Sequence, residues 1–223
     1  MAQIHLLPEE VLIKTGPVDH ADWNFRPILG AIQRARFRLA LSLLGENRFE
    51  RLLEIGYGSG VFMPELARHC HELSGVDVHD RGHLVSEALS KLDIQASLVS
   101  ASAERMPFAD LSFDAVVAVS SFEFIEQLDD ACREIRRVLK PNGVFVVITP
   151  GHSPLVDFGL RVMTGESPRR DYGDRRNNVM AALRRHFRVE ESRTLPPRAP
   201  SSVCLYRGLK LVFREDGGRT TST

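Results

Sequence analysis

The sequence is short of cysteine, has no long apolar run and carries no surplus of charge of either sign. Only Cys70, Cys132 and Cys204 occur among 223 residues. They are odd in number, widely spaced and free of any CxxC or Cys/His metal spacing, which excludes a disulfide framework and a zinc site and reads as reduced thiols. No stretch reaches the roughly 18 apolar residues that a membrane span needs. Met1 to Pro8 lacks a basic start followed by an apolar run, so the expected location is the cytoplasm. Lys plus Arg equals Asp plus Glu at 29 each. That balance argues against a general polyanion binder, and no nucleic-acid partner is expected. No internal repeat is present, and the length fits one domain with embellishments.

What is there is an alternation of short apolar runs and helical patterns. Arg51–Ile55, Glu72–Asp77, Ile94–Val99, Phe113–Val119 and Val144–Thr149 read as strands. The fourth, Phe-Asp-Ala-Val-Val-Ala-Val, is apolar with β-branched residues, the pattern of a strand buried on both faces. Val61–His71, Leu84–Leu92 and Leu128–Leu139 have helical spacing, and the last stops before Pro141-Asn-Gly143. Such alternation implies a mostly parallel sheet with helices on both faces. Near the end, Arg175–Phe187 reads as a basic helix. Arg188–Thr194 and Val203–Phe213 read as two strands that form an antiparallel pair at one edge. The prediction is thus an α/β, doubly wound, seven-stranded sheet. Residues 28–44 form an Arg-rich amphipathic helix, and residues 1–45 are expected to be a helical cap or lid. Residues 46–213 are expected to be the binding domain, with a substrate-side insertion at about 150–187, and 214–223 a frayed polar tail.

The first strand ends in Glu54-Ile-Gly56-Tyr57-Gly58-Ser-Gly60. In an open α/β sheet ligands sit beyond the carboxyl ends of the strands. Glycines there let the backbone approach a ligand, and the following helix N-terminus is expected to offer N–H groups to a carboxylate. The third glycine comes one residue too early for a dinucleotide fingerprint, and no P-loop Lys-Ser/Thr follows. Gly75-Val-Asp77 places a carboxylate at the end of the next strand, suited to both ribose hydroxyls of a nucleoside or, alternatively, to capping the next helix.

Acid-x-Gly-x-Gly-x-Gly resembles motif I of the class I S-adenosylmethionine (SAM)-dependent methyltransferases. Ser100-Ala-Ser-Ala-Glu-Arg-Met-Pro-Phe108 with Phe113–Val117 looks like the family's adenine-loop block, and Leu139-Lys-Pro-Asn-Gly-Val144 like its turn into the fifth strand. The four blocks keep the family's order over residues 50–150, closest to the small-molecule, type 11 branch with its Rossmann-like fold. The resemblance implies SAM as cofactor and S-adenosylhomocysteine as product. It places Gly56, Gly58 and Gly60 along the methionine end and Glu54 at the ammonium group. Asp77 would take the ribose and Val78 the adenine face. Ala103 and Glu104 would border the adenine edge, and Ser120 and Ser121 would face the sulfonium and the substrate. The family often has Asp where Ser102 stands, so Ser102 or Glu104 takes over the adenine amino group. Tyr57 replaces a smaller residue, and its ring points outward or roofs the site.

The acceptor side is less specified. His152, after the fifth strand, and Glu123, after the fourth, are candidate catalytic bases. The alternative for His152 is a plain surface residue. His79 belongs near the cofactor rim. Trp23, in His20-Ala-Asp-Trp-Asn-Phe25, is a lid over the cofactor or a plug under the N-terminal arm. Residues 154–163 line a hydrophobic acceptor pocket, touch a membrane surface, or simply pack. The arginines at 169, 170, 175, 176, 184 and 185 meet an anionic substrate or form a solvated face balanced by Asp171 and Asp174. The expected partner is a small-molecule acceptor, hydrophobic in one reading, for a monomer or homodimer that needs no metal. The rival functions are methylation of a protein or RNA, disfavoured because Ser120-Ser-Phe-Glu replaces an Asn-Pro-Pro-Tyr type of motif, and a non-catalytic SAM-binding regulatory module.

Overall fold

The computed structural model describes residues 4–17, 19–151, 175–200 and 203–214. His152, the 154–163 segment, most of the expected insertion and the tail from 215 lie outside the described residues. Among the described residues, no helix is long and apolar enough to cross a membrane.

Seven strands form one sheet in the order β3-β2-β1-β4-β5-β7-β6. They are β1 (Phe49–Ile55), β2 (Cys70–Asp77), β3 (Ala96–Ser100), β4 (Phe113–Val119), β5 (Leu139–Pro150), β6 (Phe187–Leu195) and β7 (Tyr206–Phe213). Pairings from β3 to β5 are parallel, and β7 runs antiparallel to both β5 and β6. The expected antiparallel pair at the edge is therefore present, with β7 as the reversed strand and β6 outermost. Among the described residues the α-helices are α1 (Pro27–Leu44), α2 (Met63–Leu66), α3 (Gly82–Ser90), α4 (Leu128–Val138) and α5 (Arg175–His186).

Successive side chains of a strand point to opposite faces, so the central strands feed two cores. Leu52, Val117 and Val146 join one cluster with Phe37, Leu43 and Phe62. Leu53, Val116 and Val147 join the other with Ile135, Leu183 and Phe187. Helix α1 starts with Pro27 in its first turn and ends at Gly45, where φ is +79°. Its buried residues include Leu29, Gln33, Phe37, Ala40 and Leu44, the spacing of one helical face. The N-terminal arm is part of this core. Leu7 is fully buried and its N–H donates to the Val61 carbonyl at 3.1 Å. His5 N–H donates to Glu65 Oε2 at 2.7 Å.

One expected helix is much shorter than its pattern. Instead of Val61–His71, α2 covers four residues, continues as a 3₁₀ turn over Ala67–His69, and gives way to β2 at Cys70. Pairing of Phe49 with Cys70 captures the end of the segment for the sheet. A single turn lacks a helix N-terminus able to hold a carboxylate, so that expectation fails. The basic helix also finds a local balance. Asp129 on α4 accepts from Arg185 Nη2 at 2.8 Å and approaches His186 Nε2 at 2.7 Å. The Arg185 hydrogen bond, then that of His186, holds the Asp129 carboxyl below the usual range.

Candidate functional site

The carboxyl ends of β1, β2, β4 and β5 converge on one cavity of about 690 Å³. Its walls include Glu54, the loop Gly56–Ser59, Asp77–His79, Ala101–Glu104, Ser120–Ser121 and Phe124–Glu126. The N-terminal arm and α1 close it with Thr15, Asp19, Trp23, Gln33 and Arg36, and Leu205 and Tyr206 border it beside β5. Every expected cofactor residue except Gly60 lines it. Gly60 lies just behind, where it turns the chain by donating to the Tyr57 carbonyl at 2.8 Å.

The glycine loop is held from two sides. Gly56 has φ +73°, and a Cβ there would come within 2.3 Å of Ser121 Cβ. This position therefore needs both a left-handed backbone and no side chain. Ser121 is fixed in turn, its hydroxyl donating to the Ile55 carbonyl at 2.8 Å. On the other side Asp77 accepts from Gly58 N–H at 2.8 Å and from Val78 N–H at 2.7 Å. A carboxylate carries about four lone-pair sites, so Asp77 retains acceptors toward the cavity while two amides orient it. His79 Nε2 lies 3.0 Å from the Gly58 carbonyl, at the rim as expected.

Glu54 is 4% exposed, and its Oε2 has no hydrogen-bond partner among the described residues. Burial, reinforced by Asp77 and opposed by Arg36, pushes its carboxyl well above the usual carboxylate range. A cation arriving beside it would restore the charge. Val78 is 76% exposed, an open apolar surface at the rim.

Tyr57 neither points outward nor roofs the site. Its ring turns inward, 3% exposed, and meets the His79 ring edge to face with centroids 4.9 Å apart. The space exists because Gly75 and Gly82 lack side chains. Added Cβ atoms would lie 2.7 Å from Tyr57 Cδ1 and 2.8 Å from its hydroxyl oxygen. Burial pushes the phenol up to about 12. The adenine-loop residues are tied together. Ser102 Oγ donates to Glu104 Oε2 at 3.0 Å, and Glu104 Oε1 accepts from Gln127 N–H at 2.7 Å. Glu104 thus joins the loop after β3 to the start of α4. Ser120 sits at φ +54° with its Oγ buried and without a hydrogen-bond partner among the described residues.

Residues 53–147 match the family model of a methyltransferase domain. These residues form a methyltransferase domain. The chain is 36% identical over 98 residues to a sterol 4-C-methyltransferase of Caenorhabditis elegans, covering 43% of this chain and 29% of that protein. It is 31% identical over 167 residues to a malonyl-[acyl-carrier protein] O-methyltransferase of Geobacter sulfurreducens, covering 70% of this chain and 62% of the relative. The chain therefore spans less than two thirds of either relative. Among solved structures, geranyl diphosphate C-methyltransferase of Streptomyces coelicolor A3(2) superposes with a TM-score of 0.64 at 17% identity, over 93% of this chain and 94% of that one. That likeness speaks for the fold of the methyltransferase domain and its flanks.

The candidate base Glu123 departs from expectation. It is 1% exposed and does not line the cavity, whereas its neighbours Ser121 and Phe124 do. The 3₁₀ turn Phe122–Phe124 rotates Glu123 into the interior beside Phe122. Trp23 does line the cavity and stacks on His20 with ring centroids 4.1 Å apart, which favours the lid over the plug. The sequence marked α1 as an Arg-rich helix able to cover the sheet or the site without singling out Arg36, and it gave no role to Gln33. The two are one turn apart on α1, and the helical period could have put both on one face.

Proposed function

We propose that this protein transfers a methyl group from SAM to a small-molecule acceptor and releases S-adenosylhomocysteine. The observation that carries the reading is Asp77, a carboxylate oriented by two backbone amides of the glycine loop and of its own strand end, facing the cavity. Two features test the fit of the donor. The buried Glu54 oxygen calls for a cation, and the Gly56 cradle is one that a single Cβ would fill. When bound, SAM supplies a methyl group already activated by its sulfonium.

The protein's task is then alignment and exclusion of water, which can supply roughly 7–11 kcal/mol of a barrier. Glu54 would hold the ammonium group, Asp77 the ribose hydroxyls, and Val78 one adenine face, with Ser102, Ala103 and Glu104 at the adenine edge. The glycine loop leaves room for the donor chain. Ser120 and Ser121 would face the transfer path. His152 stands as the candidate base for acceptors that must lose a proton, and Glu123 is better suited to support the turn that carries Ser121. Trp23, Ile32, Phe124 and Leu205 give the acceptor side an apolar lining, which fits a hydrophobic acceptor. The name of one relative, a sterol 4-C-methyltransferase, is in line with an apolar acceptor. We place the protein in the cytoplasm as a monomer or homodimer, with residues 1–45 closing the 46–213 domain.

The test is a calorimetric titration with S-adenosylhomocysteine, followed by mass spectrometry of apolar acceptors incubated with protein and SAM. Micromolar binding and a product 14 Da heavier are expected. Absence of nucleoside binding at millimolar ligand would sink the reading.

A further inference from the structure

The chain as a whole is neutral, yet from Arg175 to Arg214 it carries 10 Lys and Arg against 2 Glu. The nearby carboxylates already have cations. Glu190 pairs with Lys210 at 2.9 Å, Glu191 with Arg193 at 2.5 Å, and Asp129 of α4 with Arg185 at 2.8 Å. Four other arginines, Arg184, Arg188, Arg207 and Arg214, meet no carboxylate among the described residues, and all four line one groove of about 370 Å³. The one acceptor any of them reaches there is the Arg185 carbonyl, 3.4 Å from Arg214 Nη1. Met180, Phe187, Val189 and Leu209 give the groove apolar walls, and none of the described residues that line it is acidic. Side chains alternate across β7, so Tyr206 borders the main cavity while Arg207 and Leu209 lie on the opposite face, beside α5. The groove thus runs between α5 and the β6–β7 pair and shares no lining residue with the main cavity.

Four guanidiniums around one concavity repel one another, and an anion seated among them relieves the repulsion. The apolar walls add a second preference, for an occupant with an apolar body. The size of the groove suits one small molecule. A bilayer fits less well, because it takes up protruding apolar side chains. From residue 175 on, Val203 is the only large apolar side chain among the described residues that is exposed, at 38%. We propose that this groove is a second ligand site, which binds an amphiphilic organic phosphate, a phosphate head on an apolar body. The planar forks of Arg184, Arg188, Arg207 and Arg214 donate to the head. The body lies against Phe187, Val189 and Leu209. The site falls wholly outside the matched residues 53–147.

The probes are octyl phosphate below its micelle concentration, inorganic phosphate, octyl glucoside, a hexaglutamate peptide, and vesicles of equal parts phosphatidylcholine and phosphatidylglycerol. Their binding to the full chain is measured by calorimetry. Octyl phosphate should bind at least about tenfold more tightly than inorganic phosphate or octyl glucoside, because head and body contribute together. The double variant Arg184→Ala/Arg188→Ala changes two exposed positions and should keep its fold, checked by its thermal midpoint. It should bind octyl phosphate about 10- to 100-fold less well. Arg207→Ala should weaken the same probe, and Arg193→Ala, outside the groove, should leave it within about twofold. If octyl phosphate binds no better than inorganic phosphate, only bare charge is recognised and the proposal is overturned. Unchanged affinity in the double variant would put the ligand in the main cavity and overturn it as well. Tighter binding of hexaglutamate or of the vesicles than of octyl phosphate would mean an acidic protein or a membrane surface, and would refute the amphiphile.

Discussion

The two halves of the cavity are built in different ways. The donor half is made of short consecutive pieces, Glu54–Ser59, Asp77–His79 and Ala101–Glu104, each at the carboxyl end of a parallel strand. Its contacts are mostly between side chains and nearby backbone, such as Asp77 with Gly58 and Val78. The acceptor half gathers Thr15–Pro17, Asp19–Ala21, Trp23, one face of α1, the turn after β4 and the β5–β7 corner at Leu205 and Tyr206. Those pieces meet only through tertiary packing. Backbone-based recognition of a fixed donor tolerates little change, whereas a wall made of separate segments allows one donor site to serve many acceptors.

The strongest way to break that division is at the joint between the halves. Phe62 follows the glycine loop, is 1% exposed, and stacks on Phe37 of α1 with centroids 4.3 Å apart. Phe62→Ala should lower stability by about 3–5 kcal/mol, read from denaturant midpoints. It should also loosen α1, so acceptor turnover is expected to fall further than donor affinity. Equal losses would mean that the halves are one mechanical unit. Next in size is Asp77→Ala. It removes the ribose acceptor and leaves Gly58 N–H without its partner. S-adenosylhomocysteine affinity should drop about 10- to 100-fold with a stability cost of about 1–3 kcal/mol. An unchanged dissociation constant would refute the ribose role.

The same contrast explains what the sequence revealed. Ser102 to Glu104 could be read through the resemblance of Ser100–Phe108 to the family's adenine-loop block, and Glu54 to Gly60 and Asp77 because each sits at a strand end whose apolar run marks it. The strands themselves were legible for the same reason, with Phe113–Val119 correct to the residue. Gln33 and Arg36 were not, because nothing local distinguishes a cavity-facing arginine on α1 from Arg34, whose guanidinium donates to the Asn24 carbonyl. Glu123 was misplaced because strand-end position was read as orientation, and a 3₁₀ turn rotated the side chain inward. Tyr57 was misjudged because its space comes from two distant glycines, Gly75 and Gly82. The helix after the loop was overextended because pairing with β1 claims Cys70 onward for the sheet.

A smaller effect sharpens the donor half. With its carboxyl raised in the folded protein, Glu54 binds its proton more tightly there than in the unfolded chain. Its contribution to stability is therefore greatest at low pH. That contribution falls as pH rises from the ordinary glutamate value near ~4.3 toward the elevated folded value. Glu54→Gln should flatten this part of the stability profile and be more stable than wild type at neutral pH. It should also bind S-adenosylhomocysteine about tenfold less well. Binding to wild type should release a proton, visible as a buffer-dependent heat in calorimetry, and the release should vanish in Glu54→Gln. A buffer-independent wild-type heat would mean that Glu54 does not change its protonation state on binding.

The smallest donor effect is expected at Trp23, on the acceptor half. Trp23 stacks on His20 at 4.1 Å within a 3₁₀ turn, and it is the only tryptophan in the chain. Trp23→Phe keeps a ring for that stack while removing the indole N–H and area. S-adenosylhomocysteine affinity should change by less than about threefold, since an aromatic replacement forfeits only a fraction of the roughly 0.5–1.5 kcal/mol of such a pair. Acceptor KM should rise more than donor Kd. The wild-type emission gives an independent readout. An apolar acceptor seated against the indole should shift it to the blue, whereas 5′-methylthioadenosine alone should leave it nearly unchanged. If the nucleoside by itself produces the full shift, Trp23 belongs to the donor half, and the boundary between the two halves lies closer to the arm than its aromatic lining implies.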